Sequence, residues 1–170
     1  IDTGQVRLAG ARPRFHISPA MRLAFYTYSY TDKMEMSVEA ALKTIALSGY
    51  DGVDISGTHG NSADPLSVTP ELRRLTRNTA TRLGLHIEAI ITHANLTDSL
   101  FTEEPLDLAG SVDLAVEVGA PLVVFHMGGP AKGTGDSDEV WQRVVDYLKK
   151  SLDYAAAREI KLAVDGVWKG

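Results

Sequence analysis

The sequence predicts an α/β fold of repeated strand–helix units, and three observations carry that reading. Gly49, Gly84 and Gly119 fall 35 residues apart, each closing a helix-like stretch and opening a short apolar run; Glu159 takes the equivalent place about 40 residues further on. That period is the length of one strand-plus-helix unit. The stretches between the runs have apolar residues at helical spacing. Each later run ends in polar residues, within THANL, FHMGG and VDG. Right-handed crossovers make such strands parallel, and ligands of parallel sheets bind at the C-terminal strand ends. Five strands fit either a doubly wound open sheet or the first five-eighths of a (β/α)8 barrel.

The elements follow in order. A first strand is expected over Arg22–Tyr28, rich in aromatic and aliphatic residues. The first helix has Ser37 as N-cap and Val38, Leu42 and Ile45 on one face, with Gly49 as its stop. The second strand, Gly52–Ile55, runs into SGTHGNS, which reads as a flexible polar loop. Thr69 caps the second helix and Pro70 takes its first position, where a missing N–H costs nothing. Leu72, Leu75 and Leu83 form its expected buried stripe, closed by Gly84.

The third strand is expected over Leu85–Ile91, followed by the long loop THANLTDSLF. A third helix over Leu106–Val118 buries Leu108, Val112 and Ala115. The fourth strand, Pro121–Phe125, is almost wholly apolar, as suits a strand covered on both faces. After HMGGPAKGTGDSD comes the longest helix, starting near Asp136–Asp138, with Val140, Val144, Leu148 and Leu152 inward and Lys149 and Lys150 solvated. The fifth strand, Ile160–Val164, ends at Asp165.

Bulk properties narrow the class. The 170 residues suit one domain with a sizeable core, and 44% hydrophobic with 23% charged residues is ordinary for a globular chain. A net charge of −5 argues against a general nucleic-acid binder. No apolar run approaches the roughly 18 residues of a membrane helix. Without cysteine there are no disulfides or zinc–thiolate sites. Residues 1–20 lack the apolar stretch of a signal peptide and read as a flexible N-terminal extension, with 21–170 as the folded part. The expected setting is cytoplasmic. An open sheet should finish with a further helix, and five barrel strands leave two edges uncovered. The chain therefore reads as part of a longer protein, expected to be inactive alone and to associate, as a homo-oligomer in its complete form.

Three residues stand where chemistry is expected: His93, His126 and Asp165, at the ends of strands three, four and five. Two imidazoles and a carboxylate suit a borderline metal ion, and equally could hold and deprotonate a polyol. A lone histidine at a strand end is more often a hydrogen-bonded structural residue; three polar groups at successive ends shift the balance. His59 lies in the loop after strand two, Asn95 in the loop after strand three, and Tyr26, Tyr28, Phe101 and Trp168 near the same rim. Tyr26, His59, Asn95 and Trp168 are the expected substrate contacts, since sugars dock by their C–H faces on aromatic rings. Asp54 alternates with Val53 and Ile55 and is a lesser candidate for pointing inward. His86 and His16 read as structural. The run Lys132-Gly133-Thr134 has the wrong order for a P-loop, and the first turn has no glycine for a dinucleotide fingerprint. No G-x-S-x-G elbow is present.

Taken together, MRLAFYTYSY, GYDGVDIS, GLHIEAIITHANL, GAPLVVFHMGG and IKLAVDG resemble the sugar phosphate isomerase/epimerase group of the xylose isomerase-like TIM barrels, which also includes endonuclease IV-type enzymes. The resemblance spans about residues 21–168 and implies a TIM barrel of which this chain carries about the first five strands and four helices. It implies a divalent metal (Mn, Mg, Co or Zn) in the barrel mouth. A glutamate ending strand five is usually a ligand there; this chain has Asp165, one methylene shorter. The implied activity is isomerisation or epimerisation of a small sugar or sugar phosphate by proton transfer next to a carbonyl, with Asp165 as ligand or base and His126 and His93 beside it. In the endonuclease branch those histidines would be zinc ligands in a phosphodiesterase, and a catalytically inactive sugar-binding or structural half-barrel is the non-enzymatic alternative. The remaining ligands would belong to strands six to eight.

Overall fold

The computed structural model describes residues 21–58, 60, 63–96, 107–128 and 138–166, with the side chains of residues 93–95 and 140 left aside. The extension over residues 1–20 lies outside the described residues. In chain order the elements are β1 (Ala24–Tyr26), α1 (Tyr28–Thr31), α2 (Val38–Leu47), β2 (Gly52–Ser56), α3 (Pro70–Leu83), β3 (His86–Asn95), α4 (Leu108–Val118), β4 (Leu122–His126), α5 (Asp138–Ala156) and β5 (Lys161–Asp165). Among the described residues no helix is long and apolar enough to cross a membrane.

The five strands form one parallel sheet in the order β1-β2-β3-β4-β5. This order decides between the two expected architectures. A doubly wound sheet reverses its strand order at a switch point, whereas a barrel adds every strand on the same side of the last. The helices agree. Val53, Ile55, Ile90, Val123 and Phe125 are buried against Leu42, Ile45, Leu108, Val112, Leu114 and Val144 from the helices. Their strand neighbours Asp54, Ile91, Val124 and His126 stay partly exposed on the opposite face. A sheet with sequential strands and its helices on one face is a segment of a (β/α)8 barrel wall.

The unit boundaries explain the 35-residue rhythm. α3 ends at Gly84 (φ 72°) and α4 at Gly119 (φ 86°), both left-handed. In each case the next N–H bonds five residues back: Leu85 to the Ala80 carbonyl at 3.0 Å, Ala120 to the Ala115 carbonyl at 2.8 Å. That closure turns the chain off the helix and into the strand. α5 closes identically, Ile160 N–H donating to the Ala155 carbonyl at 3.0 Å, with Glu159 (φ 59°) in the left-handed place. The starts of α2 and α3 are also as expected, and α4 has a cap of its own. The Ser37 and Thr69 side chains accept from the N–H groups of Ala40 and Leu72, and Asp107 caps α4 by accepting from Gly110 at 2.8 Å.

Several boundaries and faces differ from expectation. β1 is shorter, because Thr27 turns the chain into α1, a single helical turn that the aromatic run TYSYT concealed. β3 runs to Asn95, four residues past the expected end, and takes in the first four residues of what reads as loop. α4 begins at Leu108 rather than Leu106, after its Asp107 cap. Leu75 is exposed; the buried positions of α3 are Thr76, Thr79 and Ala80, which with Leu72 and Leu83 form one continuous helical face that Leu75 falls beside. Leu152 is 50% exposed on α5, on the same side as exposed Trp141 and Val145, whereas Val144 is buried as expected. Apolar spacing marks that α5 is amphipathic but not how wide its packed face is. The Val140 side chain lies outside the described residues.

Candidate functional site

The sheet register assembles the site. On β4 and β5 His126 pairs with Asp165, one rung beyond Phe125 and Val164. Strand alternation therefore puts both side chains on the face away from the helices, at the C-terminal edge. The His126 Nδ1 lies 3.6 Å from the Asp165 Oδ2, an ion-pair distance longer than a direct hydrogen bond. The histidine side chain is 17% exposed and the carboxylate 55%, so the imidazole is seated and the carboxylate faces the opening.

β3 contributes through an irregularity. Ile91 pairs with Val124 and Asn95 with His126, so four steps along β3 are matched by two along β4. The extra residues bulge the strand at its mouth end, where such bulges redirect side chains. Asn95, rather than His93, is thus the backbone partner of His126, and His93 lies within the irregular stretch. Their side chains, together with His59 and Trp168, lie outside the described residues.

A second polar cluster occupies the ends of β1 and β2. The Tyr26 hydroxyl lies 3.5 Å from the Ser56 Oγ, and Ser56 donates to Asp32 Oδ2 at 2.8 Å. Thr58 Oγ1 is 3.2 Å from the same Ser56 oxygen, and Thr31 donates to the other Asp32 oxygen at 2.8 Å. The Thr27 hydroxyl accepts from the Ser56 N–H at 2.9 Å. Tyr26 stacks on Tyr28 with ring centroids 5.8 Å apart, and the Lys33 Nζ sits 5.2 Å from the centre of the Tyr28 ring. Burial pushes the Tyr26 phenol up to about 12, opposed in part by its hydrogen bonds with Ser56 and Thr58. Lower on the same face, burial and then the neighbouring Glu88 charge raise the Asp54 carboxyl above its ordinary range.

The loop after β2 is held rather than slack. Asp64, 2% exposed, accepts from the N–H groups of Gly60 and Leu66, both at 2.9 Å, and Gly57 N–H donates to the Ile91 carbonyl at 2.9 Å. This corrects the expectation of a flexible loop for its described residues. Ser56, Thr58 and Asp32 were missed in the sequence. The clue was a serine ending an alternating strand, followed by a second hydroxyl two residues on; Asp32 carried no signal, since only the turn of α1 brings it to β2.

The chemistry of the opening is clear from these groups. An imidazole nitrogen and a carboxylate oxygen on adjacent strand ends suit a borderline divalent cation, so His126 and Asp165 fit as two ligands of one. Among the described residues no set of three or more such donors converges. Without a cation the same pair can accept and hold a proton, and the hydroxyl cluster can bind a polyhydroxy ligand through oriented hydrogen bonds.

Solved structures share this fold. The chain is similar to D-psicose 3-epimerase from Clostridium cellulolyticum H10, determined with D-tagatose, at 15% identity and a TM-score of 0.66, covering 85% of this chain and 52% of the other. A xylose isomerase domain protein from Planctomyces limnophilus gives 16% identity and a TM-score of 0.61 over 87% and 55% of the two chains. A sugar phosphate isomerase/epimerase from Parabacteroides distasonis ATCC 8503 gives 15% and 0.58 over 88% and 53%. The chain spans about half the length of each. No curated protein matches it in sequence. The family profile of the xylose isomerase-like TIM barrel matches residues 42–169, most of the chain, and with the sequential parallel sheet it establishes that this chain belongs to the xylose isomerase-like TIM barrel family.

Proposed function

We propose that this chain supplies part of the catalytic mouth of a sugar, or sugar phosphate, isomerase or epimerase. The observation that carries the reading is the His126–Asp165 pair, 3.6 Å apart on adjacent strand ends of the barrel wall. Support comes from the names of similar structures, which include D-psicose 3-epimerase and L-ribulose 3-epimerase. Asp165 and His126 would hold a divalent ion (Mn, Mg, Co or Zn), whose chemistry when bound is to polarise a carbonyl and acidify the neighbouring C–H.

The chain's own residues begin the chemistry. The exposed Asp165 carboxylate takes the proton from the carbon beside the carbonyl. The C–H electron pair moves into a carbon–carbon double bond and the carbonyl π pair onto oxygen, giving an enediolate. Asp165 returning the proton to the former carbonyl carbon, with a hydroxyl proton shift, moves the carbonyl; inversion of the first carbon needs a second acid on the opposite face, which Asp165 cannot supply. In this reading His126 and His93 orient Asp165 or share its role, and Tyr26, His59, Asn95 and Trp168 contact the substrate.

The test uses the chain with Mn²⁺ and reads binding rather than turnover, because half of a mouth is expected to hold the ion without converting a sugar. Mn²⁺ at about 100 times its dissociation constant should stabilise the fold by about 2.7 kcal/mol, a gain lost in both His126→Ala and Asp165→Asn. Absence of any metal-dependent stabilisation of the unsubstituted chain would overturn the proposal.

A further inference from the structure

A mouth that binds a phosphate ester must supply donors, because phosphate oxygens only accept. A ready source is the N–H groups at helix N-termini, where the helix dipole also favours an anion. In a strand–helix unit each helix follows the C-terminal end of a strand, so these N-termini lie at the mouth edge. Here the chain's own side chains take those places. Ser37, Thr69 and Asp107 accept from the N–H groups of Ala40, Leu72 and Gly110 at the starts of α2, α3 and α4. Pro70 removes one further donor from α3. Glu39 and Glu71 put carboxylates in the first turns of α2 and α3, and α5 opens with Asp138 and Glu139. A second anion at any of these starts meets an oxygen or a negative charge already there.

The charges of the strand ends and their loops point the same way. Among the described residues of these segments the carboxylates are Asp32, Glu35, Asp64, Asp107, Asp138 and Asp165, and the one ammonium is Lys33. The Lys33 Nζ lies 5.2 Å from the centre of the Tyr28 ring. The hydroxyls of Ser56 and Thr31 are turned inward, each donating to Asp32 at 2.8 Å. The exposed Asp165 carboxylate presents acceptors to the opening, and the His126 imidazole lies against it. Acceptors and negative charge repel a phosphate dianion and suit the hydroxyl protons of an uncharged ligand. We propose that this wall of the mouth selects a neutral polyhydroxy compound, a free sugar, against the same sugar carrying a phosphate. This rests on the sugar reading above and narrows it to one substrate class.

The test titrates the chain with D-fructose and with D-fructose 6-phosphate, followed by amide NMR shifts. At about 10 mM salt, where charges act over about 30 Å, the phosphate ester should bind about tenfold more weakly, or worse. At about 1 M salt, where that range is about 3 Å, the two affinities should come within about threefold. The double substitution Glu35→Lys with Asp138→Lys, both at exposed positions, should strengthen phosphate-ester binding at low salt and leave D-fructose binding unchanged. Binding of the phosphate ester as tight as that of D-fructose at low salt overturns the proposal. A difference that neither salt nor the two substitutions reduce overturns it too. If D-fructose does not bind, the sugar reading of this chain fails, and charged nitroxide radicals still decide the selection against phosphate. A cationic radical should broaden the amide signals of Thr58 and Gly166 more than an anionic one does; equal broadening, or more by the anionic radical, overturns the proposal.

Discussion

Glu159 stands where α3 and α4 have glycine, and replacing it should stabilise the fold. Its φ of 59° is left-handed, and its helix closes with the same five-back hydrogen bond as the other two. A side chain in that conformation costs about 1–2 kcal/mol, because Cβ crowds the carbonyl oxygen. Glycine removes that cost but loses about 0.5–1 kcal/mol more on folding, through its freer unfolded chain. The carboxylate also sits at the negative end of α5, an unfavourable contact of about 0.3 kcal/mol or more when exposed. Glu159→Gly should therefore gain about 0.3–1.8 kcal/mol, seen as a rise in Tm of about 2–4 °C for each kcal/mol in a domain of this length. The reciprocal change, Gly84→Glu, should lose a similar amount. A Cβ at Gly84 meets nothing within 4 Å, so only backbone strain is measured there. Thermal melts followed by circular dichroism read both. A lower midpoint for Glu159→Gly, or an unchanged one for Gly84→Glu, would refute left-handed closure as the reason for the glycine spacing.

Other consequences can be checked by chemical denaturation. Leu42→Ala removes a side chain with no exposure and should cost about 2–5 kcal/mol, whereas Leu152→Ala, on the exposed side of α5, should stay within about 0.5 kcal/mol. Asp64→Ala removes the buried carboxylate that accepts from the Gly60 and Leu66 N–H groups and should cost about 1–3 kcal/mol, with faster proteolysis of the loop after β2. The raised Asp54 carboxyl means that the folded state disfavours its ionisation. Stability from this group is full below the unfolded carboxyl value, falls as pH rises toward the raised folded value, and is level above it. Asp54→Asn should remove that slope and stabilise the chain at pH 7 by less than about 1 kcal/mol, the group being half exposed.

How much was legible in the sequence follows from which signals are local. The helix caps at Ser37 and Thr69 and the stops at Gly84 and Gly119 act within one turn of chain, and they were read correctly. The five parallel strands and their order of use follow from the same punctuation. Strand length was harder. β3 continues through His93 to Asn95 because β4 is there to pair with it, a contact across the sheet that no local pattern encodes. The His126–Asp165 meeting was legible, because both close apolar strands one unit apart. The Asp32–Ser56 bond was not, since the two residues are 24 apart and meet only through the turn of α1. Leu75 and Leu152 mark the same limit: spacing identifies an apolar stripe, and neighbours decide which part of it is covered.

The alternation along β4 has a consequence for how such a domain changes over time. Val123 and Phe125 face the helices, and His126 faces the opening. Substitutions at the opening leave the helix-facing layer untouched, so reactivity can drift while the scaffold persists. The barrel wall separates the residues that must be kept from those free to explore new ligands.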